Sequence, residues 1–336
     1  MVVLVTGATG FLGGVLIQQL LNNEKIAAKD IRILALADEC CIDFEEKCIE
    51  VIRGDLLLPD SLHGIMKDVT DVYHNAAIVI TESVTREVMM KVNFHATIEL
   101  AKMFLKEEST KKFVFASSFG VYGMKYPKYP ITENYRKNPQ NNYQESKLLA
   151  EEQLMKLHEE NDLNFTAIRN PLIIGPGDKN ITLRLVKGLL ENKIPYLGKG
   201  QNKSSYVDAR DSAQAMILST KKTISKGQSY NIKSFDISQR DYFDFHAKAC
   251  GDCYPTKQFP VWIAYLFAWF KEMTTPKGQE SLINRTRVRR FAYPRILDTK
   301  KIESELGFKP QHTDSEKVIQ ESIQYLRANG FLDDRR

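Results

Sequence analysis

This 336-residue sequence has no long apolar run, no even number of cysteines and no basic leader. The longest unbroken apolar stretch covers residues 261–270, well short of the ~20 residues that a membrane-spanning helix needs. The five cysteines are an odd number, which indicates a reducing compartment. Residues 1–20 begin with apolar residues but carry no basic segment, so we expect no secretory leader and a cytoplasmic location.

Signals for a metal ion or a nucleic acid are equally weak. Cys250 and Cys253 form a lone CxxC motif, and neither a second pair nor histidines stand at zinc-binding spacing, so we expect no metal site. The net charge is +5 and no lysine-rich tail is present. The sequence therefore predicts a small-molecule substrate and no nucleic-acid partner.

Strands and helices alternate through the first half of the chain. Short apolar runs suited to strands occupy 2–5, 30–37, 47–55, 69–77, 111–118 and 164–171, and helical spacing lies between several of them, including roughly 87–106 and from Tyr143 to about 160. This pattern predicts an α/β fold, a doubly wound parallel sheet of the Rossmann type. We predict a dinucleotide-binding domain over 1–171, with 205–233 returning to its sheet, and a smaller substrate-binding domain from 172–204 and 234–336.

A glycine cluster, TGATGFLGG, lies directly between the first strand and the first helix. Gly7, Gly10 and Gly13 permit a tight turn and a close approach of the backbone to a pyrophosphate, which the helix N-terminus attracts. We expect this turn, including Thr9, Phe11 and Leu12, to bind a dinucleotide.

The residues after the second strand bear on the choice between NAD and NADP. The strand ends in LALADEC, and an acid at this point commonly binds the adenosine ribose. Depending on register, the key position is Ala35, Leu36 or Asp38, of which Asp38 is the acid. No arginine follows the strand to hold a 2′-phosphate, so NAD is preferred over NADP. Asp55, after the third strand, is expected to accept a hydrogen bond from the adenine amino group.

Tyr143 and Lys147 stand four residues apart on a predicted helix and therefore share a face. An ammonium group beside a tyrosine favours the phenolate, so we expect Lys147 to lower the pKa of Tyr143 and fit it for proton transfer. Ser117 and Ser118 end the fifth strand, and either hydroxyl is placed to orient a reacting oxygen.

These motifs together resemble the extended short-chain dehydrogenase/reductase family. TGATGFLGG, GDLL, HNAA, VNFHAT, SSFGVYG, YQESK, RNPLIIGPGD and YVDARD occur in that family's order and cover nearly the whole chain. The resemblance implies Ser118, Tyr143 and Lys147 as catalytic residues. It also implies that the cofactor is contacted by Gly7, Thr9, Gly10, Phe11, Leu12, Gly13, Asp55, Leu56, Asn75, Ala76, Ala77, Asn93, Tyr143, Lys147 and Pro171. A homodimer is implied in the same way.

Within that family, the substrate class is less closely defined. Phe119 and Gly120 follow the serine where sugar-nucleotide dehydratases carry an Asp-Glu pair, so dehydration is not expected. Lys203 stands before the YVDARD segment, where sugar-nucleotide epimerases usually have an arginine. The segments GKGQNKSSYV, YNIKSFDISQRDYFDF and LDTKKIESELGFKP resemble the 3β-hydroxysteroid and sterol-carboxylate dehydrogenase branch, which implies a secondary alcohol or ketone on a bulky apolar molecule. A sugar-nucleotide epimerase and a non-catalytic NAD(P)-binding sensor or scaffold are the alternatives.

An apolar segment and a basic cluster occupy the C-terminal third. Residues 259–273 hold both tryptophans, Trp262 and Trp269, and form a helix that is apolar nearly all round. Such a helix is either buried, a wall for a lipid-like substrate, or in peripheral contact with a membrane. The arginines at 285, 287, 289, 290 and 295 are expected on a solvated face, with anionic lipid or substrate phosphates as the alternative partners.

Overall fold

The structure is a computed structural model that describes residues 1–79, 84–124, 126, 128–276 and 284–332. The predicted segment 234–336 therefore includes two stretches, 277–283 and 333–336, that lie outside the described residues. The strands, in chain order, are β1 Val2–Thr6, β2 Ile31–Ala35, β3 Glu50–Arg53, β4 Val69–His74, β5 Lys112–Ser118, β6 Phe165–Asn170, β7 Leu172–Ile174, β8 Tyr196–Leu197, β9 Lys203–Asp208, β10 Gln228–Asn231, β11 Phe235–Ser238 and β12 Gln258–Phe259.

The α-helices are α1 Phe11–Asn22, α2 Ile42–Glu45, α3 Arg86–Met90, α4 Ala96–Lys106, α5 Asn142–Asn161, α6 Ile181–Leu190, α7 Ala209–Thr220, α8 Gln239–Ala249, α9 Val261–Thr274, α10 Arg285–Ala292, α11 Lys300–Leu306 and α12 Ser315–Ala328. The helix expected over roughly 87–106 is two α-helices joined by a π-helical turn at Lys91–His95. Within the described segments, the helices are too short or too polar to span a bilayer.

Seven parallel strands form the main sheet, in the order β3-β2-β1-β4-β5-β6-β10. Side chains alternate across it. Val3 and Val5 pack with α1 and α7 on one face, whereas Leu4 packs with α4 and α5 on the other. This alternation follows from the two-residue period of a strand, and burial on both faces explains why the strands are continuously apolar. The doubly wound parallel sheet predicted from the sequence is confirmed.

A second layer of structure lies after β6. β7, β9 and β11 form a three-stranded sheet, which shares a core with α6, α8 and α12. The chain enters this sheet in β7 and passes through it again in β9. It then returns through α7 and β10 to the main sheet, so the return begins after β9. The carboxyl ends of β5 and β6 therefore lie beside the start of this second layer.

Candidate active site

The turn between β1 and α1 leaves no room for side chains at two of its glycines. Gly7 has a φ of +67°, and a Cβ there would lie 2.7 Å from the backbone nitrogen of Ala76. A Cβ on Gly13 would collide with the carbonyl oxygen of Gly7. Thr9 and Gly10 are exposed, and Phe11 and Leu12 are half-buried, so these four residues border the open side of the turn. The glycine turn thus has the tight form that phosphate binding requires.

The acid that faces this turn is Glu39, one residue beyond the predicted Asp38. The Thr9 hydroxyl donates to the Glu39 carboxylate at 2.6 Å, and the backbone N–H of Leu36 donates to its second oxygen at 2.8 Å. Asp38 is exposed at the tip of the loop. The sequence predicts Asp38 instead, because it does not show the register of this loop.

An arginine also lies at the end of β2, although none follows that strand in the sequence. Arg53, the last residue of β3, donates to the carbonyl oxygen of Leu36 at 3.1 Å and forms a salt bridge of 3.1 Å with Glu45. It also donates to the carbonyl oxygen of Glu39 at 2.5 Å. Pairing of β2 with β3 thus brings an arginine to this point, although the residues that follow β2 in the sequence supply none.

Asp55 and Leu56 lie half-buried just after β3. The Asp55 carboxylate accepts a hydrogen bond of 2.8 Å from the backbone N–H of Leu57, and the Ser61 hydroxyl accepts one of 2.9 Å from the N–H of Asp55. The aspartate thus holds its own loop in shape at the edge of the predicted adenine site.

The loop after β4 contains Asn75, Ala76 and Ala77, all half-buried. Both polar side-chain atoms of Asn75 are buried, and neither bonds to any group in the part of the chain that the structure describes. Asn93, in the π-helical turn, is fully buried and holds this loop. It accepts from the N–H of Ile78 at 2.8 Å and donates to the Ile78 carbonyl at 2.9 Å. Asn93 therefore acts on the site through the backbone of the loop.

The two serines that end β5 have different surroundings. Ser117 is buried and donates to the carboxylate of Glu151. Ser118 is half-buried, and its hydroxyl accepts from the N–H of Gly120 at 3.0 Å. It also interacts with the hydroxyl of Tyr143. Of the two serines, Ser118 is the one directed toward Tyr143.

Helix α5 begins one residue before Tyr143, the first residue of the YQESK motif. The Asn141 side chain accepts from the N–H of Gln144 at 2.9 Å, which is the N-cap arrangement, and this places Tyr143 in the first turn. Lys147 lies one turn later, 2% exposed, and donates to the carbonyl oxygen of Ala116 at 2.8 Å. Tyr143 and Lys147 therefore both meet the C-terminal half of β5.

The electrostatics of this pair differ from the expectation that Lys147 lowers the pKa of Tyr143. Burial raises the pKa of Tyr143, and the opposing contributions come from the Ser118 hydroxyl and the charge of Arg290. Burial also lowers the pKa of Lys147 to about 7, against the opposing influence of Glu151. In this structure the positive charge that favours the Tyr143 phenolate is that of Arg290.

A small cavity adjoins the serine end of β5 and contains two arginines. It is lined by Phe119, Leu172, Ser204, Ser205, Tyr206, Arg290 and Arg295. Arg295 lies 4.1 Å from the centre of the Phe119 ring and is 7% exposed. Its Nε has no hydrogen-bond partner among the described residues. The expectation of a fully solvated arginine face is thus wrong for these two, which turn inward. Pro171, which precedes Leu172, is buried beside them.

The residues present fit a dinucleotide on three observations. The glycine turn lacks space for a methyl group, the Asn75 amide is buried without a partner, and a hydroxyl and an ammonium group are gathered at the carboxyl end of β5. A ligand in an open α/β sheet lies outside the carboxyl ends of the strands, where all these groups are found.

Comparison with known proteins agrees with this geometry. Residues 3–232 match the model of the NAD dependent epimerase/dehydratase family. A sterol-4-alpha-carboxylate 3-dehydrogenase of Candida albicans is 27% identical, covering 97% of this chain and 98% of the relative. A UDP-glucose 4-epimerase of Vibrio cholerae is 27% identical, covering 97% and 96%. The crystal structure of UDP-glucose 4-epimerase from Thermotoga maritima superposes with a TM-score of 0.78 at 19% identity, covering 98% and 99%.

The family model covers most of the chain, and its region contains every motif of the predicted site from the glycine turn to Pro171. The chain therefore belongs to the NAD dependent epimerase/dehydratase family, the extended short-chain dehydrogenase/reductases, and is an NAD(P)-dependent enzyme.

Proposed function

We propose that this enzyme interconverts a secondary alcohol and a ketone on a bulky, largely apolar substrate, with Ser118, Tyr143 and Lys147 as its catalytic residues. One observation carries the proposal: Lys147 is buried and donates to the Ala116 carbonyl at the carboxyl end of β5, one helical turn from Tyr143, where the Ser118 side chain opposes the rise in pKa that burial causes. A structural role alone gives no reason for an ammonium group to be buried at this point.

Each residue has a separate task in this mechanism. A nicotinamide cofactor, when bound, would supply the hydride-transfer chemistry. The Tyr143 phenolate takes the hydroxyl proton when the alcohol is oxidised and returns it when the ketone is reduced. Ser118 donates a hydrogen bond to the reacting oxygen, where negative charge develops. Lys147, held by Ala116, is positioned to bind the ribose hydroxyls next to the nicotinamide.

The lining of this small cavity supports an anionic group on the substrate, next to apolar side chains. Phe119, Leu172 and Tyr206 give it apolar walls, and Arg290 and Arg295 add two guanidinium groups. A buried guanidinium without a full set of hydrogen bonds is expensive, and a carboxylate or phosphate would supply the missing partner. The relative from Candida albicans is named for a sterol carboxylate, a molecule with both properties.

The same two arginines favour a second candidate, a sugar-nucleotide epimerase. A nucleotide diphosphate would satisfy the guanidinium groups equally well, and the relative from Vibrio cholerae is named for UDP-glucose. The two candidates differ in net chemistry. An epimerase returns the hydride to its substrate and leaves the cofactor unchanged, whereas a dehydrogenase converts one cofactor for each substrate.

The position of Glu39 supports NAD as the preferred cofactor. Its carboxylate is fixed beside the glycine turn by Thr9 and Leu36, where it would accept hydrogen bonds from ribose hydroxyls. The same negative charge would repel the 2′-phosphate of NADP. Arg53 lies nearby, but it is already bonded to the backbone of Leu36 and to Glu45.

Tyr143→Phe is the direct test. We expect the variant to bind NAD as the parent does and to lose turnover by at least about a hundredfold, because positioned general acid–base catalysis contributes 10²–10⁴-fold. A panel of hydroxysteroids, sterol carboxylates and nucleotide sugars would be followed by NADH absorbance and by product analysis. Unchanged turnover would remove Tyr143 from the mechanism. Full cofactor binding by the parent without turnover of any class would favour the sensor alternative.

A further inference from the structure

Helix α9 carries an exposed apolar surface, which we call the α9 face. Its members are Phe259, just before the helix, and Trp262, Ile263, Leu266, Phe267, Trp269, Phe270 and Met273. Trp262 is 66% exposed and Met273 is 67% exposed. Most of the large side chains of this helix point outward instead of into the core, so complete burial, one of the alternatives that the sequence left open, is wrong.

The α9 face is broad. At 100° per residue, its members in the helix span an arc of roughly 160°, close to half of the circumference. The opposite side packs inward: Ala264 and Ala268 are buried against Leu197 and Val288 of neighbouring elements. The helix thus has the form of an amphipathic segment whose apolar side faces away from the protein.

Basic side chains surround the two ends of the α9 face. Lys257 precedes β12, and Lys199 follows β8, the strand that pairs with β12. Arg240 contacts β12 directly. Lys271 lies in the last turn, with its ammonium group over the Phe267 ring. Two acidic groups in the same region are already engaged: Glu272 forms a salt bridge of 2.5 Å with Arg285, and Asp244 accepts from the Tyr196 hydroxyl.

We propose that the α9 face docks the enzyme on an anionic lipid membrane, with the helix lying in the plane of the interface. An interfacial helix buries its apolar side about 5–10 Å into the headgroup boundary, and basic flanks strengthen its binding to anionic lipid. Each Lys or Arg near such a surface is attracted by its negative potential. The broad apolar surface and the basic side chains beside it occur together here. An anionic membrane is a partner that can bind to both.

A second copy of the chain fits this surface less well. A twofold interface would bring the same patch of each copy together, and with it Lys199, Lys257 and Lys271 of both protomers. Like charges close together at an interface cost free energy. The charges therefore favour a partner of opposite sign.

Both tryptophans of the chain lie on the α9 face, so intrinsic fluorescence reports directly on its surroundings. The full-length protein would be titrated with vesicles of phosphatidylcholine alone and with vesicles containing roughly 30% phosphatidylserine, whose surface potential is negative. We expect a blue shift of the emission and co-sedimentation with the second vesicles. Both effects should weaken as salt rises.

Matched substitutions locate the contact. Leu266→Ser with Phe270→Ser removes two side chains, 54% and 57% exposed, from the middle of the face and keeps both tryptophans. We expect vesicle affinity to fall at least about tenfold, because each side chain loses its burial in lipid. The control, Leu190→Ser with Ile224→Ser, removes two side chains, 51% and 55% exposed, from other elements, and should bind as the parent does. Lys199→Gln with Lys257→Gln should reduce the preference for phosphatidylserine.

The proposal does not depend on catalysis, so Tyr143→Phe should bind vesicles like the parent. Absence of any emission shift or co-sedimentation would overturn the proposal, as would an equal loss in the control pair. A shift that grows with protein concentration in the absence of lipid, and that Leu266→Ser with Phe270→Ser removes, would assign the surface to a second copy instead.

Discussion

Glu151 and Arg169 form a fully buried salt bridge directly behind the candidate active site. The guanidinium group donates to the carboxylate at 2.6 Å and 3.1 Å, and both side chains are at most 3% exposed. Glu151 lies one helical turn after Lys147 and also accepts from Ser117. Arg169 continues the network to the Tyr122 hydroxyl at 2.6 Å. The pair therefore ties α5 to β5 and β6 at the level of the catalytic groups.

Glu151→Gln should destabilise the protein strongly. The substitution leaves the Arg169 charge buried without a counter-charge, and breaking such a pair costs about 3–5 kcal/mol. Urea unfolding of the ligand-free protein measures the difference. Glu145→Gln is the control, because its salt bridge with Arg86 lies on the surface and exposed pairs contribute little. Equal losses in the two variants would contradict the structural role of the buried network.

Gly13→Ala and Gly14→Ala should have opposite outcomes although they are neighbours in α1. A Cβ on Gly13 would collide with Gly7, whereas one on Gly14 would lie 3.7 Å from the nearest atom, the carbonyl oxygen of Ala8. We expect Gly13→Ala to abolish NAD binding or folding. Gly14→Ala should retain binding and gain up to about 1 kcal/mol, the difference in helix propensity. Isothermal titration with NAD and urea unfolding give the two measurements.

Glu39→Gln should change cofactor preference, and Asp38→Asn should not. Removing the Glu39 charge weakens ribose binding and lifts the repulsion of a 2′-phosphate, so the ratio of NAD to NADP affinity should fall at least about tenfold, or 1.4 kcal/mol. Dissociation constants for both cofactors, measured by isothermal titration, test this. A ratio that responds to Asp38→Asn instead would restore the residue predicted from the sequence.

Arg290→Gln should shift the pH profile of alcohol oxidation. The charge of Arg290 lowers the pKa of Tyr143. Burial and Arg295 lower the pKa of Arg290 itself to about 10, so it remains a cation at neutral pH. Without that charge the pKa of Tyr143 rises, less phenolate is present at neutral pH, and the ascending limb of kcat/KM moves to higher pH.

The control for this experiment is Arg289→Gln. Arg289 is adjacent on α10, but its guanidinium group donates to the Tyr265 hydroxyl at 2.5 Å, so the profile should stay in place. An unshifted limb in Arg290→Gln would show that Tyr143 does not sense this charge during turnover.

Features that depend on local spacing were predictable from the sequence. The glycine turn and the Tyr143–Lys147 pair each lie within one short segment, so the period of the helix and the position of the strand fix their geometry. Glu39 and Arg53 were not predictable, because their positions depend on the shape of a loop and on which strand pairs with β2. For Arg290 and Arg295 the sequence left a solvated face and a substrate phosphate as alternatives, because composition does not show which way a basic segment turns. The sequence of α9 likewise does not show whether its apolar side chains face the core or point outward.

The closeness of Gly7 to Ala76 has a consequence for how this enzyme can change. The diphosphate would be bound by main-chain atoms, at a contact that leaves no room for a side chain. A substitution there could therefore abolish binding but could not adjust it. Under the proposed role of Glu39, discrimination between the two dinucleotides would instead depend on a side chain beyond β2. Natural or laboratory selection could therefore exchange one cofactor for the other while the glycine turn stayed unaltered.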